Sequence, residues 1–435
     1  MDHYQGGRDS VTRVTRSVYR TTGYIAVLLA VTACSALPLP GRIAQPTSPT
    51  PLDLPSATQA RLRDFDLAVK GLRERHIDPR IVDEAWLAEA AAFRRSIIDG
   101  AVSNVDDNAY AQKLAELLAK LNDPGVALWA PSSQVSRSEE DTPFSGIGVL
   151  VGMPKPGKDR LVVLTVYAGS PAEKAGIMAH DSIVAVDGKP VTYDERENIL
   201  GRIRGPGGTT VTLTIRSPDE IEREVTVRRA PIAPATNTVA QRIAGTNIAY
   251  LSPGWGDAES LPIEIARGLR DLAAEKAPDG IILDLRITQD SPFPIVPMLS
   301  LFANGAVGSR HTRGGQQKIE VNGKQIGGSQ DLPLVILIGD QTQGPAVSFA
   351  AMLQDLSRAR LVGAKTSPLV AEPLALDLPE TGLQLVIPSV EYRGTKGRVL
   401  HRTGLTPHEN IQLAWEEFST DNDPQLERAI ALLRR

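Results

Sequence analysis

The amino-acid sequence predicts an α/β core with a mainly parallel sheet, preceded by a helical subdomain and an inserted domain of short strands. Three observations support this fold class. Apolar residues recur every three or four positions between residues 58 and 122, as they do on one face of a helix. Short alternating strands with Gly-rich turns fill residues 143–231. In residues 240–435, apolar strand-like runs alternate with helical patterns, which is typical of a parallel sheet.

Composition excludes several classes of protein. The chain has 435 residues with 42% hydrophobic residues, enough for two or three domains. A net charge of −4 and 4% aromatic residues argue against nucleic acid as a partner. The six histidines do not follow metal-ligand spacing, and a single cysteine cannot form an intrachain disulfide. We therefore expect no metal site and no cofactor.

The N-terminus is predicted to be an export signal over residues 1–33. Four arginines precede an apolar run at residues 23–33, which is too short to span a bilayer comfortably as a mature helix. The run ends in Val31-Thr32-Ala33-Cys34, which resembles a bacterial lipoprotein box. The resemblance implies acylation of Cys34 and anchoring to the cell membrane or outer membrane of a cell envelope. A plain signal peptide or a buried cysteine is the alternative.

Two segments connect this signal to the rest of the chain. Residues 34–57 are rich in Pro, Ser and Thr without periodicity, which predicts an extended tether. Residues 58–135 are predicted to form the helical subdomain. Three apolar stripes mark its helices, with Asp106 or Asp107 as a cap for the third: Leu62, Phe65, Val69 and Leu72; Trp86, Phe93 and Ile97; Tyr110, Leu114, Leu117 and Leu121.

Residues 143–231 resemble a PDZ domain in several motifs that occur in order. The resemblance implies a domain that binds an extended peptide by adding it as a strand to a sheet edge. A helix is predicted over residues 194–205. The matching motifs are Gly146-Ile147-Gly148, Ser170-Pro171-Ala172, Ala175-Gly176-Ile177, Asp181-Ser182-Ile183, Asp187-Gly188-Lys189 and Arg204-Gly205.

The predicted peptide site lies between the first PDZ strand and this helix. Glycines 146 and 148 free the backbone so that N–H groups can converge on a C-terminal carboxylate. The predicted peptide-binding residues are Gly146, Ile147, Gly148 and Val149, with Ile199 and Ile203 lining the groove. Alternatively, the glycines only form a hairpin, and the groove binds nothing.

Residues 240–435 are predicted to form the α/β core. The strand segments include TNIAYL, GIILDLR and PLVILI, and the last two are almost continuously apolar, as expected for strands buried on both faces. After PLVILI, residues 339–344 form a tight turn, and Gly344-Pro345 opens a helical pattern. An α/β enzyme commonly places a nucleophile at such a strand–turn–helix junction.

The order of these parts resembles the carboxyl-terminal processing proteases, also called tail-specific proteases, over roughly residues 58–435. The core carries Asp284-Leu285-Arg286, Leu353-Gln354-Asp355 and Gly404-Leu405-Thr406-Pro407 in the order expected for that family. The resemblance implies a tail-specific-protease-type core with an inserted PDZ domain. It also implies a serine nucleophile and a lysine base, because a serine hydroxyl needs an adjacent base to be activated at neutral pH.

The family's catalytic side chains are absent at the expected positions. The nucleophile position, eleven residues before Asp355, is Gly344; the lysine position is Leu369, and the supporting glutamine position is Pro373. The loop after Arg286, residues 287–292, contains no glycine. A motif in the helical region that usually carries His-Ser reads Asp123-Pro124-Gly125-Val126.

A displaced active site is the remaining route to catalysis. Ser348 and Lys365 could form a new dyad, but Ser348 lies one helical turn beyond Gly344, and Lys365 has the context of a solvated loop charge. His401 and His408 lie near Gly404 and Pro407, and nothing in the sequence pairs either of them with a serine.

Three functions follow from these patterns. The favoured one is a lipid-anchored pseudoprotease that binds extended peptides or protein C-termini without cleaving them, with an envelope protease or its substrates as candidate partners. The second is a serine-type endopeptidase with a rearranged site at Ser348 and Lys365. The third is a structural envelope protein without peptide recognition.

Overall fold

The computed structural model describes most of the chain after residue 53. The predicted signal peptide, Cys34 and most of the tether lie outside the described residues. Within them, no helix has both the length and the apolar character needed to cross a membrane. The described residues are 54–100, 102, 105–129, 144–195, 199–218, 220–232, 238–254, 258–288 and 293–434.

The helical subdomain contains three helices that bury the predicted stripes. They are α1 (Ser56–Arg75), α2 (Glu84–Ile98) and α3 (Asp107–Ala119). Asp83 and Asp106 cap α2 and α3 through hydrogen bonds to the backbone N–H groups of Trp86 and Ala109. Leu62, Leu72, Trp86, Ile97, Tyr110 and Leu114 are buried in one cluster, which confirms the predicted core-facing sides.

The inserted domain is a small β structure with its own core. Its main sheet has the order β3-β4-β5-β7-β8, with β6 paired to β5, and a β2–β9 ribbon stands beside it. The predicted helix is short, since only Ile199–Ile203 is helical among the described residues. The elements are β2 (Phe144–Gly146), β3 (Val149–Gly152), β4 (Leu161–Val166), α4 (Pro171–Lys174), β5 (Ser182–Val186), β6 (Lys189–Pro190), α5 (Ile199–Ile203), β7 (Thr210–Arg216), β8 (Arg223–Arg228) and β9 (Ala230–Ile232).

The predicted parallel sheet is present in the core. Its order is β10-β11-β12-β15-β16-β19, and every pair except the antiparallel β10–β11 is parallel. All residues of β12 and β15 are buried, as their apolar sequences predict. The strands are β10 (Val239–Arg242), β11 (Ile248–Ser252), β12 (Gly280–Asp284), β15 (Leu334–Ile338), β16 (Ala359–Gly363) and β19 (Glu409–Asn410).

Helices cover both faces of this sheet. Side chains of α6 (Ser260–Glu275), α7 (Ile295–Phe302) and α8 (Pro345–Asp355) join the larger apolar cluster on one face. The other face packs against α9 (Pro424–Leu433) through a smaller cluster that includes Ile282, Leu337 and Ala429. The turn between β15 and α8 is therefore held by a strand and a helix that are both buried.

A second, antiparallel sheet was not expected from the sequence. Its order is β1-β18-β13-β14, and β17 pairs with the other part of the long β18. Leu385 and Ile387 of β18 lie in the cluster of the helical subdomain, whereas Tyr392 packs against the core cluster. The strands are β1 (Ala127–Trp129), β13 (Gly305–Thr312), β14 (Gly315–Val321), β17 (Glu372–Leu378) and β18 (Leu383–Gly394).

Candidate functional site

The turn between β15 and α8 has an unusual backbone conformation at its last residue. Gly344 is the N-cap of α8 with φ 59° and ψ −142°, a region that residues with side chains rarely adopt. A Cβ atom built on Gly344 would meet no heavy atom within 4 Å. The turn thus combines the strained geometry of a nucleophile-bearing turn with open space beside it.

The positions expected for nucleophile and base are neighbours in space. The backbone N–H of Gly344 donates to the carbonyl oxygen of Leu369 at 2.7 Å, although 25 residues separate them in sequence. Ser367 N–H likewise donates to the Thr342 carbonyl at 3.2 Å. Pro373 lies four residues further along, at an exposed position of β17. The two backbones are therefore adjacent, and the side chains at these positions are a hydrogen atom and an isobutyl group.

Hydrogen bonds tie the turn to the segment that follows Asp284-Leu285-Arg286. The buried Thr342 hydroxyl donates to Leu285 O at 2.7 Å, and Thr288 N–H donates to Gln341 O at 3.2 Å. Gln343 N–H donates to the Thr288 hydroxyl at 3.1 Å. Residues 289–292 lie outside the described residues, so the prediction about the glycine-free loop stays a sequence prediction.

The displaced dyad is not assembled in this structure. Ser348 is 1% exposed within α8, and its hydroxyl has no hydrogen-bond partner in the described part of the chain. Lys365 is exposed just after β16. The Ser348 hydroxyl is therefore neither activated by the Lys365 amine nor open to a substrate.

Gly125 has no room for a side chain. A Cβ atom there would lie 2.7 Å from Pro388 Cγ and 2.9 Å from His401 Cε1. The imidazole of His401 thus lies directly against Gly125 of the Asp123-Pro124-Gly125-Val126 motif. Since both ring nitrogens of His401 already have partners, this histidine does not supply a free base.

A buried carboxylate between two histidines connects the helical subdomain with the core. His401 Nε2 lies 3.0 Å from Asp123 Oδ1, while His76 Nε2 approaches Oδ2 at 3.3 Å without good hydrogen-bond alignment. Burial alone would raise the pKa of Asp123, but its contacts with His401 and His76 more than offset this effect, and the pKa lies below its usual range. This cluster could not be predicted from the sequence, because 278 residues separate Asp123 from His401.

The PDZ domain places the terminal strand of its main sheet beside its glycine loop. Among the described strands, β3 stands at the end of the sheet order and is paired with β4. Gly148 has φ 82°, and a Cβ atom there would lie 2.4 Å from Ser170 Cβ, so the loop requires glycine at this position. Gly146 lies at the end of β2 and Val149 at the start of β3.

Three predicted peptide-binding residues, of which Ile199 and Ile203 were expected to line the groove, are buried in the PDZ domain. Ile147, Ile199 and Ile203 are 2%, 0% and 5% exposed and belong to the PDZ core. Their side chains therefore do not line an open groove in this structure. The short α5 turns both isoleucines inward because a single helical turn has one apolar side to bury.

A short segment of the core holds the PDZ domain in place. This segment, residues 414–418, is called the clip below. Trp415 Nε1–H donates to Val163 O of β4 at 3.2 Å, and the Trp415 ring stacks on His180 with ring centroids 4.2 Å apart. His180 Nδ1 lies 2.7 Å from Trp415 O.

Charged groups reinforce the clip on both sides. Glu416 pairs with Lys158 at 3.0 Å and with Arg160 at 2.7 Å. The guanidinium of the buried Arg286 lies 5.2 Å from the centroid of Trp415, within range of a cation–π interaction. Lys155 of the PDZ domain also forms an ion pair with Asp340 in the turn before Gly344. The clip therefore contacts the PDZ domain on one side and the Asp284-Leu285-Arg286 strand on the other.

The described residues offer no candidate metal centre. Throughout the ranges that the structure covers, no three His, Cys, Asp or Glu side chains come together in an arrangement that could hold a metal ion.

Comparisons with known proteins agree with this architecture. Residues 162–217 match the family model of a PDZ domain, and residues 258–411 match that of peptidase family S41. The carboxyl-terminal-processing protease of Synechocystis sp. is 28% identical over 373 residues, which cover 81% of this chain and 84% of the relative. That of Picosynechococcus sp. is 29% identical over 379 residues, covering 82% and 87%.

A solved structure shares the fold. The photosystem II D1 C-terminal processing protease superposes with a TM-score of 0.60 at 19% identity, over 82% of this chain and 94% of that chain. This likeness confirms the predicted fold class. The family-model matches and the relatives together support membership of this chain in the carboxyl-terminal processing protease family.

Proposed function

We propose that this protein is a pseudoprotease: a member of the carboxyl-terminal processing protease family that binds extended peptides or protein C-termini and does not cleave them. One observation carries the proposal. Gly344 occupies the nucleophile position with no side chain, and its hydrogen-bond partner Leu369 occupies the base position. Neither residue can transfer a proton or form a covalent intermediate.

Peptide binding is proposed for the PDZ domain. A peptide strand could be added beside β3, the terminal strand of the main PDZ sheet, and the N–H groups around Gly146 and Gly148 could receive a terminal carboxylate. Within the family, relatives are named for carboxyl-terminal processing. A chain with this fold but no nucleophile could keep the recognition of chain ends and lose their hydrolysis.

The proposed place of action is the cell envelope. The lipoprotein-box resemblance at Val31-Thr32-Ala33-Cys34 supports export and lipid attachment at Cys34. In that setting the protein would act near an envelope protease or its substrates. Metabolic labelling with a fatty-acid analogue tests the anchor: Cys34→Ser should abolish the label and release the protein from membranes.

The test of the main proposal measures cleavage and binding in one sample. The full chain, purified in mild detergent, is incubated with an unfolded protein and a library of peptides that differ at the C-terminus. Mass spectrometry then detects both new peptide termini and co-eluting peptides. We expect co-elution without new termini. Peptides with an amidated C-terminus are the matched control and should be depleted from the bound fraction.

Two outcomes would contradict the proposal. Cleavage that persists in Gly344→Ala but disappears in Ser348→Ala or Lys365→Ala would establish the displaced dyad and an active endopeptidase. Failure to retain any member of the library would instead favour a structural envelope protein.

A further inference from the structure

A buried histidine forms hydrogen bonds with the backbone beside the turn that ends at Gly344. Two backbone N–H groups point at Nδ1 of His401: that of Val370 at 3.4 Å and that of Ala371 at 3.2 Å. A nitrogen that accepts hydrogen bonds is unprotonated, so the ring proton lies on Nε2, which faces Asp123.

The backbone that His401 holds leads directly to Gly344. Leu369 precedes the two residues bonded to Nδ1, and its carbonyl accepts the N–H of Gly344 at 2.7 Å. His401 is thus linked to the turn by its own hydrogen bonds with Val370 and Ala371 and by the hydrogen bond between Leu369 and Gly344. The imidazole itself is 5% exposed and cannot move into solvent without a local opening.

We propose that His401 is a pH-responsive positioning residue. Its protonation breaks the hydrogen bonds with Val370 and Ala371 and loosens the backbone of residues 369–371, which contacts Gly344. A proton on Nδ1 would direct an N–H at two other N–H groups, which is repulsive. The same positive charge would strengthen the contact between Nε2–H and the Asp123 carboxylate. The ring therefore keeps its contact with Asp123, and its hydrogen bonds with the backbone of Val370 and Ala371 break.

The other charged groups around His401 do not offer Nδ1 an acceptor. Glu391 of β18 accepts the backbone N–H groups of Leu400 and His401 and pairs with Arg393 at 2.7 Å. It fixes the backbone of His401 and not the ring. From the helical subdomain, Asp123 faces Nε2, with His76 on its far side.

His76 provides a built-in comparison because it can accept a proton without disruption. Its Nδ1 lies 3.0 Å from the N–H of Asp78 and 3.1 Å from the carbonyl oxygen of Asp78. A protonated Nδ1 could therefore exchange an accepted hydrogen bond for a donated one. The Asp78 carboxylate itself pairs with Arg402 at 3.0 Å, so this end of the cluster keeps its contacts.

Hydrogen exchange on the full chain tests the proposal. Protection factors of a peptic peptide spanning residues 367–373 are measured by mass spectrometry between pH 7.5 and 5.0, the range in which histidines gain protons. We expect protection in the native chain to fall about tenfold, as loss of a hydrogen bond or two implies. His401→Gln, which can accept and donate without changing charge, should abolish the pH dependence, whereas His76→Gln should retain it.

Constant protection in the native chain, or an equal fall in His401→Gln, would overturn the proposal. Should His401→Gln fail to fold, Asp123→Asn gives a second measurement. Without the carboxylate the charged ring is less favoured, so the loss of protection should move to lower pH; no shift would count against the proposal. These readouts do not depend on whether the protein cleaves or binds peptides.

Discussion

The backbone N–H of Gly344 and the carbonyl oxygen of Leu369 form a 2.7 Å hydrogen bond between the two positions that the motif spacing predicts for a nucleophile and a base. The two backbone segments are thus in contact, and neither residue has a nucleophilic or basic side chain. We therefore expect substitutions in the turn to change the stability of the fold more than any catalytic activity.

The backbone at Gly344 should resist a side chain for conformational and not steric reasons. A φ of 59° with ψ of −142° is strained for alanine, although a Cβ atom would meet no neighbour. Gly344→Ala is expected to lower the free energy of unfolding by about 1 kcal/mol, measured by urea denaturation. Gly201→Ala in α5, where the space is equally open and φ is ordinary, should be neutral or stabilising. Equal effects of both variants would contradict this account.

The hydroxyl of Ser348 is predicted to be dispensable. It is buried in α8 and lacks a hydrogen-bond partner in the described part of the chain, so it has lost hydration without compensation. Ser348→Ala should leave stability unchanged or raise it by up to about 1 kcal/mol, and peptide binding should not change. Thermal unfolding and the mass-spectrometric binding assay measure these effects. A clear loss of stability would point to a partner for the hydroxyl, and a loss of cleavage would point to a nucleophile.

The clip should determine how firmly the PDZ domain is attached. Trp415→Ala removes the hydrogen bond to Val163 O and the stack on His180. We expect hydrogen exchange in β4 to accelerate roughly tenfold, because a hydrogen bond and an aromatic contact are both lost. Gln412→Ala, at an exposed position two residues before the clip, is the control. Unchanged exchange in Trp415→Ala would show that the ion pairs of Glu416 suffice.

The Asp123 carboxylate should make stability depend on acidity. Its folded-state pKa lies below the unfolded value of about 3.9, so its contribution is present above that value and is lost as pH falls through the folded-state pKa. At pH 7, Asp123→Asn should cost roughly 2 kcal/mol, because a buried charged acceptor is removed.

Urea denaturation between pH 7 and pH 3 checks this expectation. The native chain should lose stability more steeply below about pH 4 than Asp123→Asn does, so the two curves should converge in acid. Parallel curves would mean that Asp123 has the same pKa in the folded and unfolded states.

Local patterns in the sequence predicted the strands and helices around the turn correctly. The places of Gly344 and Leu369 along the chain were counted from Asp355 with the spacing of the protease family that the sequence resembles, whereas their hydrogen bond was not predicted. The antiparallel sheet was missed. Residues of β17 are largely exposed, and their side chains do not form the continuous apolar run that reveals a buried strand.

Contacts between distant segments could not be predicted from one sequence. His180 and Trp415 are 235 residues apart, and neither carries a local signal of the other. The same holds for Asp123 and His401. Ile199 and Ile203 show a different limit: an apolar pair on a short helix fits a groove wall and a core equally well, and only burial distinguishes the two.

The long strand β18 belongs to two hydrophobic cores at once. Leu385 and Ile387 complete the cluster formed by α1, α2 and α3, while Tyr392 packs against the cluster beneath the parallel sheet. Neither region can therefore be excised and expressed alone without exposing apolar surface. The inserted PDZ domain, which closes its own core, is the part that protein engineers could transplant and that recombination between genes could exchange.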